Sequence, residues 1–389
     1  MKIGIYVDVA KDRKPSGIGL HVRKLLEKLA DLDRENEYLL YYQCGLLESA
    51  GVFPHCPDRP NFRRRPVRFP AGWQGRHPRL WWNWALPRAI RKDGIDVFHG
   101  PNHFLPALAE IPTVVTIHDI AYFYMDVHGD PANEMLRQWT RHALQQASAV
   151  IALSENTSKD CVEQGAEADD VRVIYGGGNV VAEEQIAFDR AGEMRRHFKL
   201  PEKYVLFVGT LQPRKNVPFL IEAFADFKRA TGSPHGLVLA GKRDSAAPEI
   251  DRLIVDLGLG DDVVITGYVE DWHLPLLYKL ADVFVLPTLY EGFTLVTIEA
   301  MAYGTPVIST NTSSIREGVG DAAILVDVND VAALSAGLAK VLGDDATREE
   351  MVRLGRERAA LFTWERMAQE TLALYEEVAT RERRAVAVS

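Results

Sequence analysis

Short apolar runs alternate with amphipathic stretches along almost the whole chain. Each run is rich in Val, Ile, Leu and aromatic residues, and a polar or glycine-rich loop follows it. Helical patterns lie between several runs, as at 18–30, where Val22, Leu25 and Leu29 fall on one face. Strands that are apolar throughout and alternate with helices predict a parallel sheet covered on both faces. The first series of predicted strands comprises 3–9, 37–43, 96–100, 113–119 and 149–154.

The alternation breaks once and then restarts. Residues 172–180 end a strand in three consecutive glycines, and the stretch at 181–199 is polar and irregular in pattern. A second series follows, with predicted strands at 204–210, 237–241, 263–267, 282–287, 306–310 and 322–327. We therefore predict an α/β protein of two Rossmann-like doubly wound domains that face each other across a cleft. The predicted domains are 1–180 and 200–363, joined by a linker at 181–199, and a last helix starts at Trp364.

The composition is that of a globular protein, with 47% hydrophobic and 25% charged residues. No apolar run approaches the ~20 residues that cross a bilayer, and the N-terminus shows no signal-peptide pattern. Three cysteines far apart in the sequence suit neither a disulfide framework nor a zinc site. We therefore expect a cytoplasmic protein, and the net charge of −9 argues against a nucleic-acid partner.

The positive charge is concentrated in residues 59–92, here called the basic segment. It holds ten Lys or Arg and no acid, so the remaining chain carries 35 basic against 54 acidic residues. Aromatic residues are interleaved with these cations: Phe62, Phe69, Trp73, Trp81, Trp82 and Trp84. One hypothesis is that the segment contacts the inner leaflet of a membrane, or a lipid-linked acceptor there. The alternative is a connecting segment whose tryptophans fill the core and whose arginines are solvated.

The clearest indication of a ligand-binding site lies at 289–310, where a predicted strand leads through a loop into a predicted helix over 294–303. Amides at the start of that helix would bind a diphosphate, and glycine in the loop allows close approach. Glu291 stands at the loop, near the sugar of such a ligand, and Glu299 on the helix can accept hydrogen bonds from two ribose hydroxyls. Thr294 is the predicted N-cap. The predicted donor-binding residues of this segment are Gly292, Phe293, Thr294, Leu295 and Glu299.

Two further motifs lie at predicted strand ends. Arg214 and Lys215 follow the strand at 204–210, where two cations can neutralise a departing diphosphate. Gly17 and Gly19 follow the first strand but lack the third glycine of a dinucleotide fingerprint. We expect those glycines to let a loop lie close to the diphosphate or the acceptor.

The frame EGF…EAMA.GTPVI, with Glu291 and Glu299 in it, resembles the retaining glycosyltransferases of the GT-B fold, family 4 (glycosyl transferases group 1). The resemblance covers essentially the whole chain, including TIHDIAY at 116–122 and FVGTLQPRKN at 207–216. It implies that Glu299 binds the nucleotide ribose and that Glu291 binds hydroxyls of the donor sugar. It also implies that the last helix, 364–389, packs back on the N-terminal domain.

The same resemblance implies roles for the first domain. His118 is expected to contact the donor sugar as a catalytic residue, alongside Glu291, Arg214 and Lys215. Asp119 and Tyr122 are expected on the acceptor side. The chain departs from the family in GFTLV, where many relatives have GFGLP, and in the loop at 314–317, where an Arg replaces part of a common Leu-Pro-Glu pattern.

The expected activity is that of a retaining hexosyltransferase in surface polysaccharide assembly. The family implies a route in which the leaving phosphate helps deprotonate the acceptor, so no protein nucleophile is named. We expect no metal and no cofactor besides the nucleotide-sugar donor, with GDP-mannose favoured and a glycan or lipid-linked saccharide as acceptor. Alternatives are a UDP-hexose-dependent transferase, a nucleotide-sugar 2-epimerase and a non-catalytic nucleotide-sugar binding protein.

Overall fold

The computed structural model describes residues 1–12, 16–46, 53, 55–70, 80–108 and 110–388. The chain divides into two compact units. The first comprises Met1–Gly176 together with Trp364–Ser389, and the second comprises Gly177–Thr363. Among the residues that the structure describes, no helix combines the length and apolar character needed to cross a membrane.

The first unit is built on a parallel sheet whose central strands are buried, except for Lys2 at the start of the first strand. Its strand order is β3-β2-β1-β4-β5-β6-β7. The strands are β1 Lys2–Tyr6, β2 Glu37–Cys44, β3 Phe62–Arg68, β4 Val97–Gly100, β5 Thr113–Ile117, β6 Ala149–Ala152 and β7 Val171–Val173. The helices are α1 Gly17–Leu32, α2 Leu86–Asp93, α3 Asp130–Gln146, α4 Glu155–Glu163 and the last helix, α13 Trp364–Val388. A π-helical turn, Trp81–Ala85, leads into α2.

The second unit repeats this architecture, with strand order β10-β9-β8-β11-β12-β13 and parallel pairing throughout the described sheet. Its strands are β8 Tyr204–Val208, β9 Gly236–Ala240, β10 Val263–Gly267, β11 Val283–Leu286, β12 Val307–Thr310 and β13 Ala323–Val326. Its helices are α5 Ala191–Phe198, α6 Val217–Thr231, α7 Ala247–Asp256, α8 Leu274–Lys279, α9 Leu295–Ala302, α10 Ile315–Val319, α11 Val331–Gly343 and α12 Asp345–Ala359. The prediction of two doubly wound α/β units is confirmed.

Strand β3 lies in the basic segment and was not predicted. It pairs with β2 in parallel, from Tyr38 opposite Phe62 to Cys44 opposite Arg68, and forms one edge of the sheet. Its sequence, FRRRPVR, does not have the apolar pattern of a buried strand, because charged side chains face solvent and Pro66 has no N–H to donate. Both features are tolerated at a sheet edge, where they also discourage pairing with another chain.

Most aromatic residues of the basic segment are in the core of the first unit. Phe62, Phe69, Trp81 and Trp82 are buried, as the core alternative predicts. Trp84 differs, with 63% of its surface exposed. Trp73 lies outside the described residues.

Residues 181–199, expected as a linker, belong to the second unit and contain α5. The N–H of Val181 donates to the Tyr303 hydroxyl at 3.0 Å, and Glu183 pairs with Lys279 at 3.0 Å. Met194 of α5 is buried. The polar pattern of this stretch therefore did not indicate the short helix α5, in which Met194 is the one buried residue.

Helix α13 belongs to the first unit, and a buried polar contact attaches it there. The Tyr375 hydroxyl lies 2.6 Å from Nδ1 of His99, whose Nε2 lies 2.8 Å from the Thr116 hydroxyl. Burial lowers the pKa of His99 to about 3, so its ring is neutral near pH 7.

Replacing Tyr375 with Phe is expected to destabilise the first unit by about 1–3 kcal/mol, because Nδ1 of His99 loses its partner while staying buried. Urea unfolding followed by circular dichroism measures the change. Tyr124→Phe removes an exposed hydroxyl that bonds Asp160 at 2.9 Å and serves as the control. Equal stability of the two variants would contradict a structural role for the Tyr375–His99 contact.

Candidate active site

The predicted loop between β11 and α9 is held by hydroxyl groups from its neighbours. The N–H of Glu291 donates to the Ser313 hydroxyl at 2.8 Å, and the Ser314 hydroxyl donates to the Glu291 carbonyl at 2.9 Å. The Thr310 hydroxyl donates to the carbonyl of Thr288 at 2.6 Å. The start of the loop is therefore bonded to the end of β12, and Glu291 is bonded to the two serines that follow β12.

Ser313 adopts a backbone conformation with φ of 43°, in the left-handed region that non-glycine residues seldom occupy. Such strain persists where surrounding contacts hold the residue, and it concentrates at functional sites. Here the strained residue aims its hydroxyl at the backbone of Glu291. The sequence offered little to single out Ser313, because a serine gives no signal of its φ.

Glu291 is buried and its carboxylate binds two cations. Its Oε1 accepts from Lys215 Nζ at 2.5 Å and from the Thr288 hydroxyl at 2.9 Å. Its Oε2 accepts from Arg214 at 3.0 Å. Burial opposes ionisation, but the charges of Lys215 and Arg214 outweigh it and lower the pKa of Glu291 to about 2. The carboxylate is therefore ionised throughout the neutral range.

Arg214 and Lys215 lie in a 3-10 turn, Pro213–Lys215, just before α6. The turn is fixed to the Glu291 loop, since Leu289 N–H donates to the Arg214 carbonyl at 2.9 Å and Arg214 donates to the Tyr290 carbonyl at 2.6 Å. The sequence predicted both cations and the acid as site residues. It did not predict that they contact one another.

Helix α9 begins at Leu295, one residue after the predicted start. Thr294 occupies the N-cap position, but its hydroxyl lies 3.0 Å from that of Thr297 and makes no capping bond to a backbone amide. Gly292 is buried in the loop, and Phe293 packs against Phe362 with ring centroids 5.3 Å apart. The helix start therefore carries no side-chain cap that an anion would have to displace.

Glu299 sits within α9 and is also buried, in a less charged environment. Its Oε1 accepts from the Asn179 N–H at 3.3 Å, and its Oε2 accepts from the Tyr278 hydroxyl at 3.1 Å. Burial raises the pKa of Glu299 to about 7, even though these two hydrogen bonds favour the ionised form. A ligand that offered further donors to this carboxylate would favour ionisation. Asn179 and Tyr278 were not predicted.

The predicted residues of the first unit adjoin a cluster of buried histidines. His118 donates from Nε2 to the Pro101 carbonyl at 2.9 Å, and its ring centroid lies 4.9 Å from that of His21 and 5.8 Å from that of His103. Burial lowers the pKa of each of these three rings, and the neighbouring ring His118 lowers the pKa of His21 and His103 further. The cluster is therefore neutral near pH 7.

Three buried polar atoms near His118 have no hydrogen-bond partner among the described residues: His21 Nδ1, Asn102 Oδ1 and Trp364 Nε1. Trp364 and His21 are in edge contact, with ring centroids 5.7 Å apart. An unpaired buried polar atom is costly, so water or a ligand hydroxyl at these atoms would be stabilising. None of the three residues was predicted from the sequence as a site residue.

The remaining predicted site residues of the first unit differ in their hydrogen bonds and burial. Asp119 accepts from the Ala121 N–H at 3.1 Å, and the Tyr122 hydroxyl is buried against that of Thr140 at 2.5 Å. Gly17 begins α1 with open space where a side chain would be, and Gly19 is buried and donates to the Ser16 hydroxyl at 3.3 Å. Residues 13–15, which precede them in the sequence, lie outside the described residues. Their roles stay predictions.

Two family profiles match most of the chain. The profile described as Glycosyltransferase Family 4 matches residues 15–180, and the profile described as Glycosyl transferases group 1 matches residues 190–358. The D-inositol 3-phosphate glycosyltransferase of Corynebacterium efficiens is 31% identical over 288 residues, which are 71% of this chain and 68% of that protein. The chain belongs to the group 1 glycosyltransferases.

Two further comparisons place this glycosyltransferase among known proteins. The O-antigen chain mannosyltransferase B of Escherichia coli is 29% identical over 373 residues, covering 92% of this chain and 96% of that protein. Anabaena HepE, solved in complex with UDP-glucose, has a similar fold, with a TM-score of 0.70 and 19% identity over 96% of this chain and 99% of that one. The predicted family and fold are thus confirmed.

Proposed function

We propose that this glycosyltransferase moves mannose from GDP-mannose to a glycan or lipid-linked saccharide, with retention of the anomeric configuration. The observation that carries the proposal is the cluster of Glu291, Arg214 and Lys215 in the loops before α9 and α6. Mannose is favoured because the E. coli relative that matches nearly the whole chain is a mannosyltransferase. Assembly of a surface polysaccharide fits that relative's product, the O-antigen chain.

The second unit supplies the groups that a nucleotide diphosphate requires. Arg214 and Lys215 offset the negative charge that grows on the diphosphate as the glycosidic bond breaks. The start of α9 donates amides to the same group, and Glu299 accepts from the ribose hydroxyls. Each well-placed donor of this kind contributes roughly 3 kcal/mol to the transition state, by analogy with oxyanion holes.

Glu291 has a double role in this proposal. Its ionised carboxylate holds the two cations in place, and it accepts hydrogen bonds from the donor sugar. The leaving phosphate oxygen takes the proton of the acceptor hydroxyl, so the chain needs no nucleophile and no metal. In the first unit, His118 contacts the sugar, with Asp119 and Tyr122 on the acceptor side.

A UDP-hexose donor is the second candidate, because the similarly folded HepE was solved with UDP-glucose. A thermal-shift series on the full chain with GDP, GDP-mannose, UDP and UDP-glucose distinguishes the two. The guanine ligands are expected to raise Tm by a few degrees at 100 times Kd, since they bind only the folded state. An increase in Tm with the uridine ligands alone would indicate a UDP-sugar donor in place of GDP-mannose. No increase with any ligand would contradict nucleotide binding.

Radiolabelled GDP-mannose then separates the possible activities. A transferase forms a labelled glycan or free mannose, an epimerase forms a second nucleotide sugar, and a binding protein returns the donor unchanged. The anomeric configuration of the product, read from NMR couplings, tests retention.

A further inference from the structure

The helical segment from Leu80 to Asp93 has one face in the core and one face in solvent. Trp81, Trp82, Leu86 and Ile90 are buried in the core of the first unit. On the other side, Leu80 is 49% exposed and Trp84 is 63% exposed. The segment is thus firmly attached, and its outward face presents two large apolar side chains to water.

The same outward face is basic. Arg88, Arg91 and Lys92 are exposed, and with Asn83 and Trp84 they line an open depression of about 460 Å3. Arg91 pairs with Glu110 at 3.0 Å. In the part of the chain that the structure describes, Arg88 and Lys92 form no ion pair. We call Leu80, Trp84, Arg88, Arg91 and Lys92 the docking face.

The helical segment from Leu80 to Asp93 contains one acid, and that acid is already in an ion pair. Asp93, at the end of α2, accepts from Arg65 of β3 through both of its oxygens at 2.5 Å. It also accepts from the Tyr41 hydroxyl at 2.9 Å. Asp93 therefore does not offset the charge of Arg88 and Lys92, and the docking face keeps its positive potential.

We propose that the docking face binds the surface of a bilayer that contains anionic lipid. Tryptophan and leucine partition into the boundary between headgroups and acyl chains, while Arg and Lys contact the anionic headgroups. The sequence offered the whole basic segment as a membrane-contacting surface. The structure restricts that surface to one helix face, because the other described aromatic residues of the segment are buried. The proposal does not depend on the nucleotide or sugar that the enzyme uses.

An extended nucleic acid fits the docking face less well. Single-stranded nucleic acid is bound by grooves in which several aromatic rings stack on successive bases, and Trp84 is the one exposed aromatic ring among the described residues of the basic segment. The chain outside this segment is strongly acidic and would repel a polyanion.

Co-sedimentation of the full chain with vesicles tests the proposal. We expect binding to vesicles of phosphatidylcholine with phosphatidylglycerol, little binding to phosphatidylcholine alone, and loss of binding in high salt. Replacing both Arg88 and Lys92 with Gln is expected to weaken binding about thirtyfold, since each cation near an anionic surface contributes about fivefold. Trp84→Ala is expected to weaken binding as well. All of these side chains are exposed, so the variants should fold normally.

Matched controls come from the second unit. Trp272 is 51% exposed, so Trp272→Ala removes an exposed tryptophan outside the docking face. Lys203→Gln with Arg252→Gln removes two exposed cations. Equal binding to neutral and anionic vesicles, or no binding, would overturn the proposal. So would equal losses in the docking-face and control variants, or a Trp84→Ala change that alters self-association and leaves vesicle binding intact.

Discussion

Replacing Glu291 with Gln is expected to slow release of GDP from GDP-mannose by about 100-fold or more. Gln keeps the size of the side chain and can still accept from Lys215, but it carries no charge. The two cations lose the carboxylate that holds them 2.5 and 3.0 Å away, and the sugar loses an anionic acceptor. The rate is measured with saturating donor, well below the melting temperature of the variant.

Stability must be followed in the same experiment. Removing one partner of a buried ion pair costs about 3–5 kcal/mol, and Glu291 serves two cations. Glu222→Gln, on the exposed side of α6, is the control, with wild-type rate and melting temperature expected. If the Glu291→Gln protein folds and turns over the donor at the wild-type rate, the assignment of Glu291 to the active site is contradicted.

Replacing Glu299 with Gln is expected to stabilise the unliganded protein at pH 8 and to have a much smaller effect at pH 5. The folded pKa of about 7 lies above the ordinary value of 4.5, so the folded state binds the proton more tightly than the unfolded state does. The stability that this proton provides is present below about pH 4.5 and is lost as the pH rises through 7. The shift limits the gain to about 3 kcal/mol.

The same variant should lose affinity for GDP, because an amide accepts hydrogen bonds less strongly than a carboxylate and carries one donor group. Urea unfolding at pH 5 and 8, with and without GDP, gives both results. Glu349→Gln, on an exposed face of α12, controls for the loss of one acid. An unchanged pH dependence would show that Glu299 is not the group that titrates, and unchanged GDP affinity would contradict its role with the ribose.

The strand and helix pattern was predictable because nearly every strand of both sheets is apolar, even where it is only half-buried, as in β10 and β13. Strand β3 was the exception, since an edge strand exposes one side and here fills it with arginine. The same segment shows what composition cannot resolve. Trp82 and Trp84 are two residues apart in the sequence, yet one is buried and the other is exposed. Only the orientation of the helical segment separates them.

The candidate site was predictable as a set of loops but not as a set of contacts. Glu291 follows a predicted strand, so it was expected at the carboxyl ends of the strands. Arg214 and Lys215 also follow a predicted strand and were expected at the same end of the sheet. Their ion pairs depend on the 3-10 turn and on hydroxyls from Ser313 and Ser314. Sequence pattern does not encode these distances, and the pKa values of Glu291 and Glu299 follow from them.

The first unit is discontinuous in sequence, and this affects the order in which the protein can form during synthesis. Residues 177–363 leave the ribosome after the first sheet and before α13. Until then, the His99 side chain lacks the hydroxyl of Tyr375, and the face that α13 covers is open to water. The second unit, whose residues are contiguous, can fold as soon as it emerges. The unit that is started first is therefore the one completed last.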